Sequence, residues 1–314
     1  MNTFNHEALL YADEDEFLAA TFPHVRRALD RDDAVLAALP PRNIDLLRSE
    51  LGPEAGAVAF ADIQEVGRNP ARIIPIWRDF ADANTGPDSR PLGIGEPIWA
   101  GRRPDELVEC HLHEALLNKA FDDGPAWDLL CPYDTSSLEP EVIAGARRSH
   151  PGVAADGAVH QSEEFRPLAI DHVFAGDLDE PPAAATRLAV RENNLSEVRR
   201  AVSDLGASVG LDDERIGDLL LAVSELASNS VRHGGGEGLL VAWQERGSVM
   251  CEMRDAGSFS DPLVGRRRAD LAASSGRGLW LVNSVSDLVQ IRSGERGSKV
   301  RIQVSPGPER AAVH

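Results

Sequence analysis

The sequence has few cysteines, almost no lysine and no long apolar run. Its three cysteines, Cys110, Cys131 and Cys251, are too few and too scattered for a disulfide framework or a CxxC metal site. No stretch approaches the roughly 18 apolar residues of a membrane-spanning helix. The N-terminus also lacks the basic start and apolar stretch of a secretion signal. These absences predict a soluble protein of the reducing cytoplasm.

Lysine occurs only at Lys119 and Lys299, against thirty arginines. A P-loop requires a lysine after its glycine-rich turn, and neither lysine has that context, so a Walker A site is excluded. The formal net charge is −19, and neither half of the chain has a basic excess. Direct binding to nucleic acid depends on basic side chains at the phosphates and is therefore disfavoured.

In the first 150 residues, short apolar runs alternate with amphipathic ones. Extended segments are predicted at 34–39, 56–61, 91–98 and 127–131, and helices at 13–30, 41–51, 69–83, 104–121 and 139–148. Alternation of strands and helices is typical of an α/β domain with a parallel sheet.

The length of the chain and the position of a segment rich in proline and glycine predict the domain organisation. A chain of 314 residues is long enough for two domains. Proline and glycine interrupt any sustained periodicity between about 150 and 186. We predict a first domain over 1–152, a linker over 153–186, a second domain over 187–306 and a tail over 307–314.

A polar cluster in the C-terminal half lies on a predicted helix. Glu225, Asn229 and His233 recur at intervals of four residues and therefore share one helix face. The set brings together a carboxylate, an amide oxygen and an imidazole. An ordinary exposed helix face is the alternative interpretation.

Two glycine motifs follow this helix. Asp255 ends a strand-like apolar run and the chain turns at Gly257, a place where a carboxylate can accept a hydrogen bond from a base. Gly276 and Gly278 open a predicted helix, whose N-terminal amides attract phosphate. The order of the three clusters favours a nucleotide site over an exposed helix face.

These segments resemble the GHKL ATPases, and among them the bacterial anti-sigma-factor serine kinases, over about residues 188 to 305. Glu225-Leu-Ala-Ser-Asn229 is similar to their N box, Asp255-Ala-Gly257 and Gly276-Arg-Gly278 to their two glycine boxes, and Gly297-Ser-Lys-Val-Arg301 to their last strand. One position departs from the pattern, because Phe259 stands where the family has a second glycine. The departure bears on the mobility of the predicted lid that follows, Ser258 to Ser275.

The resemblance implies a fold and a set of roles. The fold would be a GHKL (Bergerat) α/β sandwich, and the cofactors would be ATP and Mg²⁺. Asn229 would provide an oxygen to Mg²⁺, and Glu225 would act as the general base for an attacking hydroxyl. The nucleotide is expected to contact Asn229, His233, Asp255, Gly257, Gly276, Arg277, Gly278, Leu279 and Ser298. His233 either touches phosphate or simply ends its helix.

Four segments of the N-terminal half resemble the MEDS domain, a sensory module of some methanogen and methylotroph regulators. They are His6-Glu-Ala-Leu-Leu-Tyr11, Gly93-Ile-Gly-Glu-Pro-Ile-Trp99, Glu109-Cys-His-Leu-His-Glu-Ala-Leu-Leu-Asn118 and Leu130-Cys-Pro-Tyr-Asp134. The resemblance spans nearly all of residues 1–152. It implies sensing of a small molecule or of redox state.

One helix of this half carries potential metal ligands. Cys110 is spaced three and four residues from His113 and Glu114, and these residue types suit a transition metal. No second cluster has convincing ligand spacing, and buried cysteine often behaves as a small hydrophobe, so ordinary packing or a polar pocket is the alternative. Together with Cys131 and Tyr133, these residues are predicted to line a pocket at the carboxyl ends of the strands. A redox pair of Cys110 and Cys131 is a further option.

The combined resemblance implies a cytoplasmic two-domain sensory regulator. Its kinase domain would phosphorylate a serine of a STAS-domain anti-sigma-factor antagonist, and its partners would be that antagonist and a sigma factor. The alternative is an ATP-binding module that switches partners without turnover. A histidine kinase would need a phosphoacceptor helix pair before the ATPase, and the broken linker does not provide one. No nucleic-acid or membrane partner is expected, and a homodimer is left open.

Overall fold

The structure is a computed structural model that describes residues 4–155, 158–169, 172–268 and 277–307. The chain divides into two compact units, Met1–Leu168 and Ala169–His314. In the described ranges, no helix combines the length and the apolar character needed to cross a bilayer.

The first unit alternates strands and helices. The strands are β1 (Phe4–Tyr11), β2 (Val35–Leu39), β3 (Val58–Asp62), β4 (Leu92–Gly95), β5 (Trp127–Asp134), β6 (Gly152–Ala155) and β7 (Ala158–Gln161). The helices are α1 (Glu14–Asp30), α2 (Pro41–Leu51), α3 (Ile63–Val66), α4 (Ile73–Asn84), α5 (Pro104–Ala120) and α6 (Pro140–Ser149), with short 3₁₀ turns at Gly52–Ala57 and Pro70–Arg72.

These strands form one seven-stranded sheet in the order β3-β2-β4-β5-β1-β6-β7. All neighbours are parallel except β6 and β7, which are antiparallel. Proline opens α2, α5 and α6 in the first turn, where its missing N–H costs no hydrogen bond. The predicted α/β class with a parallel sheet is confirmed.

Two features of this sheet differ from the sequence-based expectation. The first strand, β1, was not predicted, because His6 and Glu7 interrupt its apolar run; it nevertheless lies between β5 and β6. Part of the predicted linker, residues 153–161, carries most of β6 and all of β7. Both strands are only four residues long, so they form through pairing rather than through intrinsic strand preference, β6 with β1 and β7 with β6.

The second unit is an antiparallel sheet covered by helices. Its elements are β8 (Thr186–Val190), α7 (Leu195–Val209), α8 (Asp213–His233), β9 (Gly238–Glu245), β10 (Ser248–Asp255), α9 (Arg277–Val285), β11 (Leu288–Gly294) and β12 (Gly297–Val304). The five strands are ordered β11-β12-β10-β9-β8 and every pair is antiparallel.

The helices α7, α8 and α9 all contribute to one apolar core with the sheet. Val202, Val223 and Val282, one from each helix, are fully buried together with Cys251 and Ile302 from the strands. Burial of this apolar surface is the main force that holds the layers together. The architecture confirms the predicted α/β sandwich of the C-terminal half.

The outer face of this sheet carries a buried ion pair. Arg301 donates from Nε to Glu252 Oε2 at 2.8 Å, and its guanidinium lies 5.1 Å from the centre of the Trp243 ring. Arg301 also donates to the backbone carbonyl of Asp179 at 2.5 Å. The segment before β8 is thereby attached to the sheet.

Candidate functional site

The helix α8 positions the first group of candidate residues. Its N-cap residue Asp212 accepts a hydrogen bond from the backbone of Arg215 at 2.8 Å, and its apolar face is buried in the core. Glu225 and Asn229 are half-buried, whereas His233 is exposed in the last turn. The face predicted from the four-residue spacing therefore runs from the edge of the core into solvent.

The beginning of α9 packs directly against Glu225 and Asn229. A Cβ atom at Gly278 would lie 2.9 Å from Glu225 Oε2 and 3.1 Å from Asn229 Nδ2, so a larger residue would displace both side chains. Leu279 is buried in the core and anchors the helix, and Arg277 is exposed. The two motifs are thus in contact. Gly276 lies outside the described residues.

Asp255 is held at the end of β10 by three donors. Its Oδ1 accepts hydrogen bonds from Ser298 Oγ at 2.7 Å and from the backbone N–H of Gly257 at 2.9 Å. Its Oδ2 accepts one from the hydroxyl of Ser230. A carboxylate has about four lone-pair positions. One position on Oδ2 therefore remains for a further donor, and the exocyclic amino group of adenine is such a donor.

Glycines allow three segments to approach Asp255. A Cβ at Gly234 would lie 2.5 Å from Asp255 Cγ, and one at Gly257 would lie 3.0 Å from Oδ1. Gly297 has a φ of +103°, and a Cβ there would lie 2.1 Å from the Asp255 carbonyl oxygen. The end of α8, the turn after β10 and the start of β12 can therefore meet at this carboxylate.

Two of these residues, Ser230 and Gly234, were not among the predicted site residues. Ser230 follows Asn229 directly, and Gly234 directly follows α8. Their positions beside the first motif were visible in the sequence. Their contact with Asp255 depends on the pairing of distant strands, which spacing along one helix cannot show.

Phe259 is anchored at the start of the predicted lid. Its backbone N–H donates to Ser293 Oγ at 3.1 Å, and its ring lies 5.7 Å from that of Phe174. The side chain also packs against the core of the second unit. The first residues of the lid are therefore fixed to the sheet, and residues 269–275 of the lid lie outside the described ranges.

Four buried polar side chains meet in the first unit. His6 on β1, Glu114 on α5, Cys131 on β5 and His150 after α6 present ligand atoms that all lie within 4.8 Å of one another. Each residue is at most 2% exposed. Burial lowers the pKa of His6 to about 4.

The predicted sensory residues are only partly brought together. Glu114 and Cys131 belong to this cluster, and the ring of Tyr133 lies 5.7 Å from that of His150. Neither Cys110 nor His113 is part of the four-residue group; the Cys110 thiol instead donates to the carbonyl of Pro97 at 3.5 Å. All three cysteines are reduced, so Cys110 and Cys131 are not joined. A pocket formed by the five residues stays a prediction.

A second buried network lies at the carboxyl ends of the strands. The hydroxyl of Tyr11 donates to Glu96 Oε1 at 2.8 Å, and Asn43 Nδ2 donates to Glu96 Oε2 at 2.7 Å. Burial raises the pKa of Glu96 to about 8. This carboxyl group therefore changes protonation near neutral pH.

Comparisons with known proteins agree with the division of the chain into two units. A family model described as the MEthanogen/methylotroph, DcmR Sensory domain (MEDS) matches residues 5–151, and one described as a histidine kinase-like ATPase domain matches residues 188–304. No curated protein matches the chain at a significant level.

Two solved structures show weak overall likeness. One contains the RsbU and RsbW domains of Rv1364c from Mycobacterium tuberculosis; it is 20% identical, with 40% of this chain and 33% of that chain covered, and a TM-score of 0.30. The other is the histidine kinase AdeS of Acinetobacter baumannii, at 15% identity, 44% and 74% coverage, and a TM-score of 0.25. This chain spans about a third of the length of the first of these structures.

The two family matches fall on the two units in order and include both groups of residues described above. The protein is thus a fusion of a MEDS sensory domain with a C-terminal histidine kinase-like ATPase domain.

Proposed function

We propose that this protein is a sensory anti-sigma regulator whose C-terminal domain binds ATP with Mg²⁺ and phosphorylates a serine of a STAS-domain antagonist. The sigma factor and the antagonist would be its alternative partners, and the MEDS domain would set the balance between them. The observation that carries the nucleotide site is the convergence of Gly278 on Glu225 and Asn229. Two motifs that are far apart in the sequence, one on α8 and one at the start of α9, then serve one ligand.

The donor set fits ATP and Mg²⁺. Asp255 is fixed by Ser298, Gly257 and Ser230 and retains an acceptor position for an adenine amino group. Asn229 offers an amide oxygen, which is a hard ligand of the kind that Mg²⁺ binds. The N-terminus of α9 offers backbone N–H groups to phosphate.

ATP, when bound, supplies the phosphoryl group. The chain itself positions the reacting groups and provides the proton acceptor. Glu225 is half-buried beside Asn229 and, as a carboxylate, would orient the serine hydroxyl of the antagonist and take its proton. Positioning and electrostatic stabilisation dominate phosphoryl transfer, and Glu225 and Asn229 would contribute to both.

The test uses the full-length chain with Mg-ATP and the STAS-domain proteins encoded in the same genome. Phosphoserine on one of them is measured by mass spectrometry. We expect transfer by the wild type, a loss of about 10² to 10⁴-fold in Glu225→Gln, and no change in the control Asp213→Asn on the exposed start of α8. Transfer at the wild-type rate by Glu225→Gln would remove the general-base role.

A second candidate function is partner switching without turnover. It is favoured by the anchoring of Phe259, which fixes the base of the lid to Ser293 and Phe174. In that case ATP would be retained intact by the purified protein, and the STAS partner would bind without becoming phosphorylated. Analysis of the bound nucleotide, together with pull-down of the partner, separates the two functions.

A further inference from the structure

The cluster of His6, Glu114, Cys131 and His150 has the spacing of a tetrahedral metal centre. Glu114 Oε2 lies 3.2 Å from the Nε2 atoms of both His6 and His150, and His6 Nε2 lies 3.4 Å from Cys131 Sγ. With zinc bonds of about 2.0 to 2.3 Å, neighbouring ligand atoms of a tetrahedron are separated by about 3.3 to 3.7 Å. The three separations given above are close to these edges, and all ligand atoms of the cluster lie within 4.8 Å of one another.

The hydrogen bonds of His6 fix its tautomer. Asn118 Nδ2 donates to the carbonyl of Ser149 at 2.8 Å, which leaves Asn118 Oδ1 facing His6 Nδ1 at 3.2 Å. An amide oxygen can only accept, so Nδ1 carries the proton and donates it. In the neutral ring the lone pair is then on Nε2, which faces Glu114.

His150 has the same arrangement. Its Nδ1 lies 2.8 Å from the carbonyl oxygen of Ala146, which again can only accept. Its Nε2 therefore presents a lone pair toward Glu114 Oε2, and it has no hydrogen-bond partner among the described residues. Metal-binding histidines in proteins are held in this way, with the second nitrogen donating to a carbonyl or carboxylate oxygen.

Without a cation, this arrangement is unfavourable. Two imidazole lone pairs and a carboxylate oxygen face one another in a site shielded from water, and within this group of four the Cys131 thiol, 3.4 Å from His6 Nε2, is the one donor. Glu114 Oε1 also has no hydrogen-bond partner among the described residues. An uncompensated charge in such a site is costly. A divalent ion with Cys131 as thiolate and Glu114 as carboxylate would make the centre neutral.

We propose that His6, Glu114, Cys131 and His150 bind one zinc ion in the MEDS domain. Two imidazoles, one thiolate and one carboxylate form a closed four-ligand set, which is typical of a structural centre rather than of a catalytic one. The ligands come from β1, α5, β5 and the residue after α6. Binding releases the thiol proton of Cys131, and because the site is buried, loading accompanies folding.

The first experiment measures metal in the full-length protein purified without chelator from zinc-containing medium. We expect about one zinc per chain by mass spectrometry of the metal. The protein is then unfolded, stripped with chelator and refolded with Co²⁺. A tetrahedral centre with a thiolate gives intense visible ligand-field bands and a thiolate-to-cobalt charge-transfer band in the near ultraviolet.

The cysteine variants assign the ligand. The charge-transfer band should persist in the control variant with both Cys110→Ser and Cys251→Ser, because Cys131 is then the only thiol. It should disappear in Cys131→Ser, while His150→Asn should lower zinc retention. The control variant keeps the assignment testable if Cys131→Ser does not fold.

Two results would overturn the proposal. One is wild-type protein that folds with far less than stoichiometric zinc and gives only the weak spectrum of octahedral cobalt. The other is loss of the charge-transfer band in the control variant, which would move the thiolate to Cys110 or Cys251.

Discussion

Ser298 and Asp255 are direct cross-strand partners, and the hydroxyl of the first donates to the carboxylate of the second at 2.7 Å. The contact links the last strand of the ATPase domain to the carboxylate proposed to recognise the base. Ser298 and the backbone N–H of Gly257 both donate to Oδ1, so that Oδ2, which accepts from Ser230, has the position left for the base. The geometry leads to a first prediction.

Replacing Asp255 with Asn should weaken ATP binding by about 1–3 kcal/mol, because a charge-assisted hydrogen bond is lost and an amide nitrogen is placed among donors. Titration calorimetry of the full chain measures the effect. Asp204→Asn, an exposed change on α7, is the control and should bind as the wild type does. Unchanged affinity in Asp255→Asn would exclude this carboxylate from the site.

The second prediction concerns Gly278. An added methyl group would meet the flexible ends of Glu225 and Asn229 rather than backbone, so Gly278→Ala should remain folded but bind ATP at least tenfold more weakly. Gly217→Ala on α8 is a matched control, because a Cβ there meets no atom within 4 Å. That variant should be neutral or stabilised by about 0.5–1 kcal/mol. Both variants are measured by thermal unfolding and by calorimetry with ATP. Equal ATP affinity in the two variants would refute the prediction.

A third prediction separates binding from chemistry on α8. Asn229→Ala should lose the part of ATP affinity that depends on Mg²⁺, whereas Glu225→Gln should keep it. Calorimetry with and without Mg²⁺ gives the difference for each variant. If Mg²⁺ strengthened ATP binding equally in the wild type and Asn229→Ala, the metal would have to be held by other groups.

The fourth prediction is a pH dependence of stability that arises from Glu96. Its pKa is raised from 4.5 to about 8 in the folded state, so the folded protein binds the proton more tightly than the unfolded chain. The stabilising contribution is therefore full below about pH 4.5 and is lost as the pH rises toward 8. The slope reaches about 1.4 kcal/mol per pH unit at most.

Glu96→Gln should remove this contribution. Urea unfolding of the wild type and the variant at several pH values measures the difference, with the exposed change Glu50→Gln as control. The difference between wild type and Glu96→Gln should change steadily between about pH 4.5 and 8 and level off above. A difference that is constant across this range would contradict the raised pKa.

Local signals explain what the sequence predicted well. The helix Pro41–Leu51 has proline in its first turn and apolar residues at helical spacing, and the structure has the same bounds. Glu225 and Asn229 share a face because helical geometry alone places them there. The order of the motifs then indicated one site, although only the folded chain shows that Gly278 lies against both residues.

Long-range contacts explain what the sequence did not show. In the sequence, His6 and His150 are at opposite ends of the segment that forms the MEDS domain, and each is an isolated histidine. They meet only because β1 lies between β5 and β6, an arrangement that periodicity does not encode. Cys110 and His113 shared a helix with Glu114 and suggested ligands by spacing, but spacing along one helix does not decide which of its residues meets the strands.

The central place of β1 has a consequence for synthesis of the chain. β1 is translated before the other described strands of its sheet, but its two neighbours, β5 and β6, begin only at Trp127 and Gly152. Both edges of β1 therefore stay unpaired until β5 has been translated, and one edge stays unpaired until β6 follows. Exposed edges of this kind favour aggregation. Pairing between such distant segments is also slow. We expect the nascent MEDS domain to require protection by chaperones until β6 emerges.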